Sequence, residues 1–171
     1  MDVVVREEQS GDVGAIRVIH EKAFGQPQEA DIVDSLRQNC ARLVSLVAVI
    51  GEEAVGHILF SPALVESNRG TIEGMGLAPM AVLPEHQRRG IGSKLVRAGI
   101  AGLKDTGCPF VIVLGHPEYY PRFGFERASR HGLRSQWDVP DEAFMVLTLD
   151  QTAMSGVSGV ASYRSEFDKA M

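Results

Sequence analysis

One stretch, from Met80 to Leu95, constrains this chain more than any other part of its sequence. It begins with apolar residues of strand character, continues as Gln-Arg-Arg-Gly-Ile-Gly, and has the pattern of a helix from Ile91 onward. A turn between a strand and a helix directs several backbone N–H groups outward at the positive end of the helix dipole. Such a turn favours the binding of a phosphate or pyrophosphate group. Gly90 permits a tight backbone there, and Gly92 removes a side chain that would block the ligand.

Two adjacent arginines, Arg88 and Arg89, indicate a ligand with several phosphates. The stretch is not a P-loop, because no Gly-x-x-x-x-Gly-Lys-Ser/Thr occurs in the chain. It is not a dinucleotide fingerprint either, because Leu95 takes the place of the third glycine. The alternative interpretation is an ordinary glycine-containing turn with solvated arginines.

Charge and length limit the possible partners. A chain of 171 residues predicts one domain. The net charge of −5 disfavours nucleic acid as a partner. Within this acidic background, the segment from His86 to Lys104 carries five cationic side chains of lysine and arginine and no acid. This local excess fits a compact polyanion better than an extended duplex.

The cysteine and hydrophobicity patterns predict a cytoplasmic protein. Cys40 and Cys108 lie far apart and form no CxxC pair, which favours a reducing compartment. No apolar run is long enough to span a bilayer, and the first residues lack the pattern of a signal peptide. We therefore expect no membrane partner. The scattered cysteines and histidines predict no metal site.

Hydrophobic periodicity predicts the element order β-α-α-β-β-β-α-β-α-β-β. Glycine and proline inside the long central strand predict a bulge there. Strands are predicted at 3–6, 43–50, 54–60, 71–83, 110–114 and 144–149, with an extended piece from Phe123. Helices are predicted from Asp12 to Gly25, at 27–38, at 90–104 and at 117–120, with a loop at 65–70.

Two sequence pieces resemble the GNAT superfamily of N-acetyltransferases. The segment Gln87 to Gly92 resembles its acyl-CoA-binding signature, Gln/Arg-x-x-Gly-x-Gly/Ala. The segment Tyr119 to Phe125 resembles its aromatic-Tyr-x-x-Leu/Phe-Gly-Phe signature. The element order also matches this family, and the resemblance covers about residues 3 to 150. The Leu-Gly-His-Pro and Phe-Gly-Phe pieces, with Gly132-Leu133, look most like a bacterial subgroup of predicted acetyltransferases with no assigned substrate.

This resemblance implies an α/β fold with a mixed sheet that is splayed between the fourth and fifth strands, with acyl-CoA in the opening. It implies one acetyltransferase domain over residues 1–150. Residues 151–171 would be a C-terminal extension that packs on the domain or on a partner, and a homodimer stays open. The implied activity is transfer of an acetyl group from acetyl-CoA, as co-substrate, to a primary amine by direct attack in a ternary complex.

The resemblance also implies roles for individual residues. The backbone N–H of Val82 would stabilise the oxyanion, and Leu83 would hydrogen-bond the pantetheine arm as part of a pseudo-strand. The residues expected to bind the cofactor are Val82, Leu83, Gln87, Arg88, Arg89, Gly90, Ile91, Gly92 and Ser93.

Tyr120 is the candidate general acid. It lies four residues before Gly124, at the position where the family has the tyrosine that acts as general acid. A phenol can give a proton to a departing thiolate at little cost. Pro121 disfavours a helical backbone at Tyr120, so its side chain direction is open and Tyr119 is the fallback. The alternative is that both tyrosines only pack in the core.

The general base is less defined. Glu73 lies near the start of the central strand, where some members of the family carry a glutamate, but a solvated strand-end carboxylate is an equal alternative. His57 and His116 are lesser candidates, because the pKa of histidine suits proton transfer. The predicted helices over 12–38 carry three acids that would attract a cationic amine or simply face solvent. They are Glu29, Asp31 and Asp34.

Two functions from different classes therefore remain. The first is an N-acetyltransferase acting on a small-molecule or peptide amine. The second is a non-catalytic acyl-CoA-binding or sensing module, which the undefined base leaves open. The acceptor cannot be inferred, because acceptor specificity depends on loops without a shared signature.

Overall fold

The computed structural model describes residues 2–171, and within them nine strands form one mixed sheet with helices on both faces. The strands are β1 (Val3–Glu7), β2 (Val44–Ile50), β3 (Glu53–Ser67), β4 (Gly70–Val82), β5 (Phe110–Leu114), β6 (Glu126–Arg127), β7 (Leu133–Ser135), β8 (Phe144–Thr148) and β9 (Gly159–Ser162). The helices are α1 (Val13–Phe24), α2 (Gln28–Asn39), α3 (Ile91–Asp105) and the short α4 (Gln151–Met154).

The main path of the sheet follows the order β1-β2-β3-β4-β5-β8-β6. Neighbouring strands from β1 to β4 are antiparallel, whereas β4 and β5 are parallel and are connected through α3. A parallel pair needs such a crossover, and a strand covered on both faces has a continuous apolar sequence. β5, with the sequence Phe-Val-Ile-Val-Leu, is buried in this way. The predicted mixed sheet is confirmed, and the predicted element order holds from β1 to β5.

Helices cover the two faces of the sheet with separate hydrophobic clusters. α3 packs one side through residues such as Leu95 and Leu103, which join Phe60 and Val111 in one cluster. α2 and the C-terminal residues pack the other side, in a cluster that contains Leu36. The amphipathic spacing of each helix sets which face it buries.

The sheet separates between β4 and β5. The two strands pair at only three positions, and the last pair joins Leu77 to Val113. β4 continues five residues further, to Val82, without pairing to β5. The register of β3 against β4 shifts between Ile58 and Phe60, so the predicted bulge is present. One edge of the second half of β4 therefore faces an opening.

Residues 151–171 pack on the sheet. β9 pairs with the far half of β3, and Phe167 is buried. The buried hydroxyl of Tyr163 donates to the carbonyl oxygens of Leu77 at 3.0 Å and of Ile112 at 3.3 Å. Gly76 makes room for this ring, because a side chain there would overlap it. Tyr163 thus joins β4 and β5 at the point where they separate.

Three local predictions are wrong. The predicted loop at 65–70 belongs largely to β3, since Val65 is fully buried and the polar residues after it pair with β4 and β9. The predicted helix at 117–120 is instead a 3-10 turn over Tyr120–Phe123, with Pro121 in its first turn, where a missing N–H is tolerated. The extended piece from Phe123 is reduced to the two residues of β6.

A pair of glycines on α3 tests how that helix packs. A side chain on Gly99 would overlap the ring of Phe60, whereas a Cβ added to Gly102 would meet nothing within 4 Å. We expect Gly99→Ala to lower the free energy of unfolding by about 2 kcal/mol through overpacking. The matched control, Gly102→Ala, should raise it by about 0.5–1 kcal/mol through helix propensity. Urea titrations measure both, and equal effects would contradict this contact.

Candidate active site

The free edge of β4 presents backbone hydrogen-bonding groups to the opening. The N–H of Leu83 donates to the carbonyl of Val55 on β3 at 2.8 Å, and His57 lies opposite Ala81. In an antiparallel pair, successive residues alternate between pointing toward and away from the partner strand. Val82 therefore directs its N–H away from β3 and toward the opening, and so does the residue two positions earlier.

This geometry changes one predicted contact. The N–H of Leu83 already donates to the carbonyl of Val55, so this group is not free for the contact predicted from the sequence. Met80 lies two residues before Val82, so its N–H and its carbonyl also point toward the opening. These groups can form hydrogen bonds there in place of the Leu83 N–H. The carbonyl of Val82 accepts from the side-chain amide of Gln87 at 2.9 Å, which connects the following turn to the end of the strand.

The turn after β4 has the backbone that the sequence predicts for an anion site. Gly90 adopts a left-handed conformation with φ of 81° directly before α3. Arg88 also has a positive φ, 65°, which is uncommon for a residue with a side chain. From Arg88 onward, the first amide that donates to protein is that of Lys94, to the carbonyl of Gly90. Within residues 2–171, the amides from Arg88 to Ser93 have no protein acceptor.

The charges around this turn are uncompensated. Arg88 and Arg89 are exposed, and no carboxylate among residues 2–171 lies within ion-pair distance of either. Six free amides at a helix N-terminus, together with two free guanidinium groups, form a strong site for a multiply charged anion.

The two tyrosines lie beside this turn in different environments. The hydroxyl of Tyr119 is 3.0 Å from the hydroxyl of Ser93 in the first turn of α3. The ring of Tyr120 is buried against Phe125, and Gly115 makes room for it. Within the described residues, the Tyr120 hydroxyl has no hydrogen-bond partner. Burial, and secondarily the neighbouring Tyr119, raise the pKa of Tyr120, so this phenol stays protonated.

These elements surround one cleft of about 810 Å³. Its lining includes the second half of β4, Arg88, both tyrosines and the loop after β5. It also includes Phe24 from α1, Glu29 from α2 and Phe167 from the C-terminal segment.

The candidate bases occupy three different environments. Glu73 forms an ion pair with Arg42 and lies four residues before Leu77, roughly 13 Å along the strand. It is not part of the lining of the cleft. His116 is exposed and lies in that lining. His57 is fully buried and lies outside it. Residues 2–171 contain no group of three or more His, Cys, Asp or Glu side chains that could hold a metal ion.

A buried hydrogen-bonded chain contains His57, and the sequence did not indicate it. The hydroxyl of Ser45 donates to Glu8 at 2.6 Å, so it accepts from Nε2 of His57 at 2.8 Å. Nδ1 of His57 then accepts from Nε2 of His20 at 2.8 Å. The chain ends at Glu8, which Arg37 also contacts. Histidines 37 residues apart on a helix and a strand carry no recognisable spacing, so only the fold reveals this pair.

Comparison with known proteins shows the family of this chain. A family model described as "Acetyltransferase (GNAT) domain" matches residues 4–128, which is most of the chain. The chain belongs to the GNAT acetyltransferase family. Two curated GNAT relatives come from Escherichia coli K12. "Uncharacterized N-acetyltransferase YhbS" is 33% identical over 168 residues, covering 98% of this chain and 99% of the relative. "Uncharacterized N-acetyltransferase YjhQ" is 43% identical over 134 residues, covering 77% and 74%.

Solved GNAT structures show the same fold. The crystal structure of YhbS from Escherichia coli in complex with CoA has a TM-score of 0.91 and 32% identity, covering 97% of this chain and 92% of that one. A GNAT acetyltransferase from Brucella melitensis in complex with acetyl-CoA has a TM-score of 0.78 and 33% identity, covering 98% and 99%. The predicted family and fold are therefore confirmed, and in the described residues no helix is long and apolar enough to cross a membrane.

Proposed function

We propose that this chain is an acetyl-CoA-dependent N-acetyltransferase that moves the acetyl group to a primary amine by direct attack in a ternary complex. One observation carries the proposal: the free edge of β4, Tyr120 and Arg88, the first residue of the turn with open amides, line the same cleft. The CoA and acetyl-CoA complexes of two similar structures support this choice of ligand.

The turn before α3 would bind the pyrophosphate of acetyl-CoA. The amides from Arg88 to Ser93 would donate to its oxygens, and Arg88 and Arg89 would add charge. Gln87 would act indirectly, by holding the turn on the carbonyl of Val82. The pantetheine arm would then run along the free edge of β4 and pair with it as an added strand, using Met80 and Val82.

The reaction needs no covalent enzyme intermediate. The lone pair of the neutral amine attacks the thioester carbon, so a C–N bond forms and the carbonyl oxygen becomes negative. A backbone N–H on the free edge of β4, that of Val82 or Met80, would stabilise this oxygen. The C–S bond then breaks, and Tyr120 gives its proton to the sulfur. The nitrogen of the attacking amine loses one proton, and water carries a proton back to the Tyr120 oxygen.

The proposal assigns no dedicated base. Glu73 is left out because it is paired with Arg42 away from the cleft, and His57 is left out because it is buried in its own hydrogen-bonded chain. An amine that gives its ammonium proton to water before the attack can react without a protein base. His116 is the titratable candidate that remains in the lining.

Replacing Tyr120 by phenylalanine tests the acid. We expect Tyr120→Phe to lower kcat by about 100-fold, the usual contribution of a positioned acid. Acetyl-CoA affinity should stay within about twofold, because the ring keeps its packing. Steady-state thiol release and calorimetry measure these quantities. Tyr119→Phe, which loses only the contact with Ser93, is the matched control and should keep most of the rate.

Two outcomes would contradict the proposal. A Tyr120→Phe enzyme with full kcat would remove this residue from the mechanism. A protein that is stabilised against heat by acetyl-CoA, yet releases no thiol with any amine, would be the acyl-CoA-binding module instead of an enzyme.

A further inference from the structure

The part of the cleft lined by α1, α2 and the C-terminal segment, here called the acceptor end, carries one available carboxylate side chain. Of the three acids that the sequence places on α2, Asp31 and Asp34 are both paired with Arg17. Asp34 is also paired with Arg37. Glu29 is different, because its hydrogen-bond partner is the neutral amide of Gln26 at 3.1 Å. Glu29 is half-buried, and within residues 2–171 it is the only carboxylate side chain in the lining of the cleft.

Aromatic and aliphatic groups form much of the rest of this end. Phe24 is 42% exposed, which is unusual for so large an apolar side chain. Trp137 stacks on Tyr163 with ring centres 5.7 Å apart, and Tyr163 contacts Phe167 with centres 5.0 Å apart. Ile32 of α2 also belongs to the lining. A surface of this kind binds a flat apolar body, and a Trp ring also attracts a cation.

The positive charge in the lining lies on the turn before α3, not on α1, α2 or the C-terminal segment. Arg88, which precedes α3, is the only lysine or arginine among the lining residues that the structure describes. Its place beside the open amides suits the polyanionic co-substrate. An acceptor with one ammonium group finds one counter-charge at Glu29. Each further ammonium group of a polyamine or an aminoglycoside would enter an apolar site without a partner, which is costly.

The geometry points to a primary amine with a single positive charge and an aromatic body as the acceptor of this enzyme, with Glu29 binding the ammonium group as the amine enters. This inference rests on the proposed function. It adds a substrate class and a specificity-determining residue to that function.

A substrate panel tests the inference on the full chain. The probes are 2-phenylethylamine, tryptamine, spermidine and kanamycin, with thiol release from acetyl-CoA as the readout. We expect kcat/KM for the two aromatic amines to exceed that for spermidine and kanamycin by at least about 10-fold. The reason is that burying one unpaired charge costs more free energy than a 10-fold ratio in kcat/KM represents. Preference for spermidine or kanamycin would overturn the substrate class while leaving the acetyltransferase proposal intact.

Glu29→Gln tests the residue. We expect KM for 2-phenylethylamine to rise about 10-fold, with kcat changed by less than twofold and the heat stabilisation by acetyl-CoA unchanged. Glu52→Gln, in the turn between β2 and β3, removes one exposed carboxylate away from the cleft and should leave KM unchanged. An unchanged KM in Glu29→Gln would overturn the role of Glu29. Absence of turnover with every amine, despite acetyl-CoA binding, would overturn the proposed function and this inference together.

Discussion

Replacing Gly92 by tryptophan is expected to abolish binding of acetyl-CoA. A Cβ at this position would lie 3.2 Å from the Tyr119 hydroxyl and 3.4 Å from the terminal methyl of Met80. An indole there would extend into the space between the free edge of β4 and the open amides before α3. Losing two or more charge-assisted hydrogen bonds to the pyrophosphate corresponds to a fall in affinity of at least about 100-fold. Isothermal titration with acetyl-CoA measures it.

The same helix provides the control for this experiment. Gly102 is exposed on α3, with nothing within 4 Å of its Cβ position, so Gly102→Trp adds the same bulk away from the cleft. Its affinity for acetyl-CoA should equal that of the unchanged protein. Normal affinity in a folded Gly92→Trp protein would show that the pyrophosphate does not bind at this turn.

Acidification from pH 7 to pH 5 is expected to destabilise the fold strongly through the buried histidine pair. Burial, and secondarily the positive charge of Arg37, lower the pKa of His20 from 6.5 to about 4. Burial and the neighbouring His20 lower the pKa of His57 as well. Between these folded-state values and 6.5, the unfolded chain binds more protons than the folded one. Stability is therefore complete above about pH 6.5 and is lost as the pH falls.

The size of this effect makes it measurable. A shift from 6.5 to about 4 gives His20 alone about 2 kcal/mol of lost stability between pH 7 and pH 5. His57 changes stability in the same direction. The lowered pKa values of Asp12 and Glu166 act below this window, because carboxylates in the unfolded chain titrate near pH 4. Urea titrations at several pH values between 5 and 7 give the slope.

His20→Gln separates this pair from the rest of the chain. A glutamine amide can still donate to Nδ1 of His57 but does not titrate, so the pH slope should fall by about half. His116→Gln changes an exposed histidine of the loop after β5 and should keep the original slope. A His20→Gln protein with an unchanged slope would mean that other groups cause the acid sensitivity.

The parts of the fold that the sequence predicted are those with strong local signals. Periodicity located α1, α2 and α3 to within about two residues, and the apolar run of β5 indicated a parallel strand buried on both faces. The sequence did not indicate β7 and β9, which are three and four residues long. These two strands pair with each other, and β9 also pairs with β3, which is distant in the chain. Such short segments gain their structure from tertiary contacts, which no local pattern contains.

In the candidate site, too, the sequence predicted the features with strong local signals and not those that depend on tertiary contacts. The turn from Gln87 to Gly92 was predictable because its backbone conformation demands particular residues at particular positions. Which N–H groups of β4 face the opening depends on the register against β3, so the sequence alone did not show that the N–H of Leu83 is bonded to Val55. Glu29 differs from Asp31 and Asp34 because Arg17 bonds to both aspartates and not to Glu29. The composition of α2 does not show which of its acids Arg17 contacts.

The hydroxyl of Tyr163, bonded to carbonyl groups of both β4 and β5, has a consequence for how ligands enter. It donates to one carbonyl oxygen on each strand, so the strands can begin to separate there without leaving these two acceptors unpaired. The opening between the strands is therefore present in the protein without a ligand. Under the proposed function, acyl-CoA would bind without first having to separate the strands, which favours affinity through pre-organisation.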